Sequence, residues 1–195
     1  MKQFLLLALF TLARFVNGQN TLEWDGIYQL QLADFQSSST QIGNTTIYSL
    51  HSGSGIDFAY AMTNAEFMFT KNFNSRVTCS FNRDAASLVA PDSNMALDLL
   101  GFARYEFDLS ELYARKLRKK IYEEKGAFTD PAFFKPLFDE NQDELAARHT
   151  IAGRESDLGR NKEKLTELHQ EVLNEIEQLA DFCKDCKPPK KKKQD

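Results

Sequence analysis

The chain has 195 residues, with 24 Lys plus Arg against 28 Asp plus Glu, 42% hydrophobic and 12% aromatic. Those proportions exclude a wholly disordered chain, a collagen-like repeat and a protein that crosses a membrane many times. Three cysteines and three histidines are too few for a zinc-ribbon array or a disulfide-dense miniature, and the length suits one globular domain with an extension.

Residues 1–18 read as a signal peptide. Lys2 precedes an apolar run from Phe4 to Phe10, and a short polar stretch ends at Gly18. The run is shorter than the roughly 20 residues a bilayer span needs, and Val16 and Gly18 place compact side chains where a signal peptidase requires them. Removing this segment takes away Lys2 and Arg14, so 22 cations face 28 acids and the net charge moves from −4 to −6. The expected product is secreted and extracellular, with no membrane span, in a compartment that permits disulfides and N-glycans. Asn44-Thr45-Thr46 is the glycan acceptor pattern, so glycosylation is expected at Asn44.

Residues 19–90 alternate with a period of two. Tyr28, Leu30 and Leu32 form one such run, Ile56, Phe58, Tyr60 and Met62 another, Phe67 and Phe69 a third, and Val77, Cys79 and Phe81 a fourth. Alternation of this kind predicts short strands with one buried face, joined by turn-rich pieces such as His51-Ser52-Gly53-Ser54-Gly55. The unit is expected to be a small antiparallel β-sheet or sandwich, with Cys79 a buried free thiol.

Residues 91–140 are expected to be helical and docked on that unit. Asp108 with Glu111 makes a capping box, Phe107 staples onto Leu112, and Leu109, Leu112, Leu117 and Ile121 form an apolar stripe. Arg115, Lys116, Arg118, Lys119 and Lys120 read as the opposite, solvated face. Phe133, Phe134, Leu137 and Phe138 follow, interrupted by Pro136, and so much aromatic surface is expected to pack on the sheet.

In residues 141–186, Ile151, Leu158, Leu165, Val172, Leu179 and Cys186 stand seven apart, with Leu168 and Phe182 at the companion position. A heptad on a helix predicts the seam of a left-handed coiled coil, here Leu158, Leu165, Leu168, Val172 and Leu179. Cys183 and Cys186 close the stretch on one helix face, a layout that resembles the cysteine-ended oligomerisation coils of extracellular matrix proteins. The resemblance implies chain-to-chain disulfides; a local Cys183–Cys186 bridge, or one to Cys79, is the alternative. A redox role is disfavoured, because the pair stands at a helix C-terminus, where the dipole opposes a thiolate. Residues 187–195 form a solvated basic tail, in which Lys190, Lys191, Lys192 and Lys193 are available to an anionic partner.

Enzymatic signatures are absent. His51, His149 and His169 have no ligand companion at helical spacing, and no nucleophile elbow, phosphate loop or dinucleotide fingerprint occurs. The fold expected is α+β: a β unit, an amphipathic helix and a coiled-coil helix. The function expected is a secreted, non-enzymatic structural or interaction protein. It would use no cofactor, metal or nucleic acid, and would homo- or hetero-oligomerise through its coil into an extracellular layer or matrix. A protein or anionic glycan is the expected partner. The alternatives are a soluble lipid- or glycan-binding module and a secreted regulatory ligand acting through the tail.

Overall fold

The computed structural model describes residues 20–59, 61–126 and 129–188. Residues 1–18, read above as a signal, Tyr60 and the lysines Lys190 to Lys193 lie outside these residues. The fold is mixed α+β, as composition and patterning predict.

Two small three-stranded sheets make the β part. In the first, β5 (Val77–Asn82) is central, with β1 (Thr21–Glu23) and β4 (Ser54–Phe58) antiparallel on either side, so that Leu22 stands opposite Phe81 and Ile56 opposite Cys79. The alternation read from sequence is realised here: Val77, Cys79 and Phe81 face the core, and Cys79 is a buried free thiol. In the second, β6 (Ser87–Ala90) lies between β2 (Gln41–Ile42), which runs parallel to it, and β3 (Ser49–His51), which runs antiparallel. This sheet is therefore mixed.

Two of the predicted alternating runs are not strands. Tyr28 to Leu32 is irregular and ends in a 3-10 turn at Leu32–Asp34, where the Asp34 carboxylate accepts from the Gln31 amide and the Tyr28 hydroxyl. Phe67 and Phe69 lie on a short helix, α1 (Asn64–Phe69). Its N-terminus is fixed by a capping box: the Glu66 amide donates to Thr63 Oγ1, and the Thr63 amide donates to the Glu66 carboxylate. Local capping chemistry overrides the period-two pattern in both cases.

The central element is α2 (Ser93–Glu124), which starts 15 residues before the Asp108–Glu111 capping box predicted from sequence. Its cap is Asp92, whose carboxylate accepts from the Met95 amide. Asp108 is mid-helix instead, accepting from Trp24 Nε1 at 2.6 Å and bonded to His169 Nε2 at 2.6 Å. The helix is covered by both sheets and by the two helices that follow, so it is buried nearly all round, with Leu109, Leu112, Leu117 and Ile121 within 1% of full burial.

Because α2 is enclosed, the predicted solvated face is partly internal. Arg115 and Arg118 are buried around Glu111, whose Oε1 accepts from Arg115 Nε and Arg118 Nη1, each at 2.9 Å. Their remaining donors meet backbone carbonyls: Arg118 reaches Val77 O at 2.8 Å and Phe182 O at 3.1 Å, and Arg115 reaches Ile176 O at 2.9 Å. Lys116, Lys119 and Lys120 remain at least partly exposed.

The heptad line does not run along one helix. It is divided between α3 (Phe134–Glu155) and α4 (Lys162–Gln178), which are joined by a turn in which Asp157, Leu158 and Gly159 all have left-handed φ. Gly159, at φ +95°, passes so close to α2 that a Cβ there would stand 2.2 Å from the Asp98 carbonyl oxygen. Ile151 is left half-exposed on α3 and Leu158 sits in the turn, while Leu165, Leu168, Val172 and Leu179 pack inward on the core beside α2. The coiled-coil helix expected over 141–186 is thus replaced by a helical hairpin whose seam is covered by its own chain. Glu175, which interrupts the heptad, is positioned here by Lys116 and Arg148.

Pro136 does not break α3, because it lies in the first turn, where no amide partner is lost. Phe134 packs edge-on against Phe58, Phe67 and Phe73, which docks α3 on β4 and α1. Cys183 and Cys186 are bonded to each other within the chain, the local alternative rather than a bridge between chains. Asn74 Nδ2 donates to the Cys183 and Cys186 carbonyls, tying this C-terminal loop to the start of β5.

Candidate functional site

Three elements converge on a cleft of about 290 Å³, to which helical spacing contributes directly. Glu106, Leu109 and Ser110 stand three and four apart on α2, and Gln142, Leu145, Ala146 and His149 repeat the same spacing on α3, so each group shares one helix face. The connection between β3 and β4, which passes from one sheet to the other, closes the third side with His51, Ser52 and Ser54. Gly53 holds that connection in place. Its φ is +70°, and a Cβ would lie 2.5 Å from the Asn82 carbonyl oxygen, a position that no other residue accommodates without backbone movement.

The polar groups of the cleft are arranged unevenly. His149 Nε2 bonds Glu106 Oε1, and this contact raises the imidazole pKa above its ordinary 6.5 although partial burial opposes it. Glu106 is nine-tenths buried, yet its second oxygen, Oε2, has no hydrogen-bond partner. Ser110 Oγ donates to the Glu106 carbonyl at 2.9 Å, and Ser52 Oγ donates to Ser54 Oγ at 3.3 Å. No serine hydroxyl in the cleft hands its proton to an imidazole among the described residues. Leu50, Leu109, Leu145 and Ala146 supply an apolar wall.

A larger hollow of about 520 Å³ lies between β4 and the start of α3, lined by Ile56, Phe58, Pro131, Phe134 and Phe138. Its charged groups are already engaged: Asp57 accepts from Ser80 Oγ, and Lys135 pairs with Asp139. Of the two, the smaller cleft gathers more polar side chains, Glu106, Gln142, His51, His149 and three serines, beside one apolar wall.

The residues singled out from sequence are placed as follows. Asn44 is exposed on a turn, at φ 54° directly after Gly43 at φ 88°, between β2 and β3. The seam residues belong to the core, and the cysteine pair is a closed local loop. His51 and His149, isolated in sequence, meet at one cleft, whereas His169 bonds Asp108 on another part of α2. Among the described residues no group of three or more His, Cys, Asp or Glu is placed to hold a metal ion, and no helix is long and apolar enough to cross a membrane. Sequence reading missed Glu106, Gln142 and His149 as partners. The i, i+3, i+4 and i+7 spacing of Gln142, Leu145, Ala146 and His149 marks one face, but nothing local shows that it meets Glu106.

No protein-family model matches the chain, and no curated protein or solved structure is significantly similar to it.

Proposed function

We propose that this chain is a secreted, non-catalytic interaction protein that holds a small ligand in the cleft between α2, α3 and the β3–β4 connection. The observation that carries the reading is the cleft itself, in which α2, α3 and the β3–β4 connection bring Glu106, Gln142, His149, Ser52 and Ser54 together beside an apolar wall. The ligand-binding reading is preferred over coil-driven assembly into a matrix because α2 already covers the apolar seam of α4. The bonded Cys183–Cys186 pair likewise leaves no thiol there for a second chain.

Secretion rests on the signal-like residues 1–18, and N-glycosylation on the exposed turn at Asn44. Expression in a secretory host is expected to yield a chain beginning at Gln19, with a mass that falls on N-glycosidase treatment unless Asn44 is replaced by Gln. The purified protein is expected to run as a monomer on reducing and non-reducing gels and in solution. Covalent dimers at micromolar concentration would return the assembly reading to first place. The ligand reading is tested by carbon–proton spectra of the histidine rings during addition of mixed small polar compounds. Shifts at His149 and His51, with His169 unmoved, support it; no compound moving either ring overturns it.

A further inference from the structure

Independently of the cleft, we infer that the surface at α1 and the loop after it, joined by the lysines that follow Cys186, docks on an anionic phospholipid membrane, with Met68 and Phe69 entering its interface. The first observation is the direction of three consecutive side chains. An α-helix turns by about 100° per residue. Phe67 points inward on Phe73 and Phe134, so its two successors cannot share that direction. Met68 is 63% exposed and Phe69 81%. The capping box of Thr63 and Glu66 fixes the turn that presents them, so both project from an ordered element. Phe133, half-buried against Phe67, continues the apolar surface on their flank.

The second observation is where the cations lie. Counted from Gln19, the chain carries 22 cations and 28 acids, and residues 187–195 hold five lysines and one acid. That leaves 17 cations against 27 acids in residues 19–186, so the body stands at −10 and the short segment at +4. Such a separation orients a molecule over an anionic surface. The root of the segment is fixed beside α1. Asn72 Nδ2 donates to the Cys186 carbonyl at 3.0 Å, Asn74 Nδ2 donates to the Cys183 and Cys186 carbonyls at 3.1 Å, and the Cys183–Cys186 bond closes the loop they hold. Lys71 and Lys187 are exposed on either side of this junction, and Lys125 stands over the rings of Phe67 and Phe73. Of the neighbouring acids, Glu66 is paired with Arg76. Asp181, Asp185 and Glu124 are set against Lys71, Lys125, Lys187 and the four lysines from Lys190.

The two observations meet in one kind of partner. A sulfated glycan is a hydrated polyanion that attracts lysines but gains little from an exposed phenyl ring and thioether. A bilayer interface takes both, because lysine ammonium groups stay among the lipid phosphates while Met68 and Phe69 reach the acyl boundary below them. Two inserted side chains, or a lysine run by itself, give only marginal and reversible attachment. Together they supply the two signals that stable docking needs.

The test sediments the full chain from Gln19 with vesicles of phosphatidylcholine alone and of about three parts phosphatidylcholine to one part phosphatidylserine, with retention on heparin as the comparison. Binding to the mixed vesicles is expected, with little to phosphatidylcholine alone, and it should fall at least tenfold between about 0.1 and 1 M salt. Replacing Lys190 to Lys193 together by Gln is expected to weaken it at least tenfold, since each lysine near such a surface contributes several-fold. Met68→Ala combined with Phe69→Ala, at two exposed positions, is expected to weaken it about tenfold. Phe69→Trp, a ring that favours the interface, is expected to strengthen it several-fold, which keeps the test decisive should the double variant fold poorly. Leu97→Ala removes an exposed apolar side chain at the far end of α2, about 40 Å from Lys125, and should change nothing. Retention on heparin with no vesicle binding would assign the surface to a glycan and overturn membrane docking. Equal binding to both kinds of vesicle, or mixed-vesicle binding unchanged in the Met68 and Phe69 variants, overturns it as well.

Discussion

Replacing Arg118 by Ala is expected to be among the most destabilising single changes in this chain, although Arg118 stands in what reads as a solvated basic run. The guanidinium is 1% exposed and its donors reach three groups: Glu111 Oε1 at 2.9 Å, Val77 O at 2.8 Å and Phe182 O at 3.1 Å. Removing it leaves two backbone carbonyls without those donors, at about 1–3 kcal/mol each, and Glu111 with Arg115 as its remaining cation. The sum agrees with the ~3–5 kcal/mol typical of removing one member of a buried ion pair. Against a total stability of about 5–15 kcal/mol this is a large fraction, and the C-terminal loop that Arg118 clips should loosen with it. Urea unfolding followed by circular dichroism would measure the loss. Lys116→Ala serves as the internal comparison, because the Lys116–Glu175 pair is one-third exposed at both ends and should contribute at most about 1 kcal/mol. Arg118→Lys is expected to fall between the two, since an ammonium keeps the charge but cannot span the same three acceptors. A loss below about 1 kcal/mol in Arg118→Ala, equal to that in Lys116→Ala, would refute the reasoning.

Val172 is fully buried beside α2, so Val172→Asp is expected to unfold the monomer rather than dissociate an oligomer. Circular dichroism together with solution mass would separate those outcomes. Gly159→Ala is expected to cost at least about 1–3 kcal/mol, because the backbone is left-handed and a Cβ meets the Asp98 carbonyl; thermal unfolding would read it. The His149–Glu106 contact raises the imidazole pKa in the folded state above 6.5, so its contribution to stability is fully present below pH 6.5 and is lost as pH rises through the raised value. Melting temperatures of the parent and of His149→Gln should therefore differ most in mildly acidic buffer and converge at alkaline pH. A difference independent of pH would contradict the ion pair.

Local patterns and three-dimensional decisions divide clearly along this chain. The alternation of Val77, Cys79 and Phe81 is read directly as a strand with a buried face, because two-residue periodicity is a local property of the backbone. The apolar stripe of Leu109, Leu112, Leu117 and Ile121 likewise identifies the inward face of α2. The mixed α+β class follows from these patterns. What they leave open is what covers each face. A heptad seam is equally satisfied by a second chain or by a helix of the same chain, and the left-handed turn at Asp157 to Gly159 folds α4 back on α2 and decides for the latter. Arg115 and Arg118 look like surface charge until Glu111 and the carbonyls at the end of α4 surround them. The cleft is decided in the same way. Glu106 and His149 are 43 residues apart and touch only because α3 returns alongside α2, and no property of either segment by itself specifies that contact.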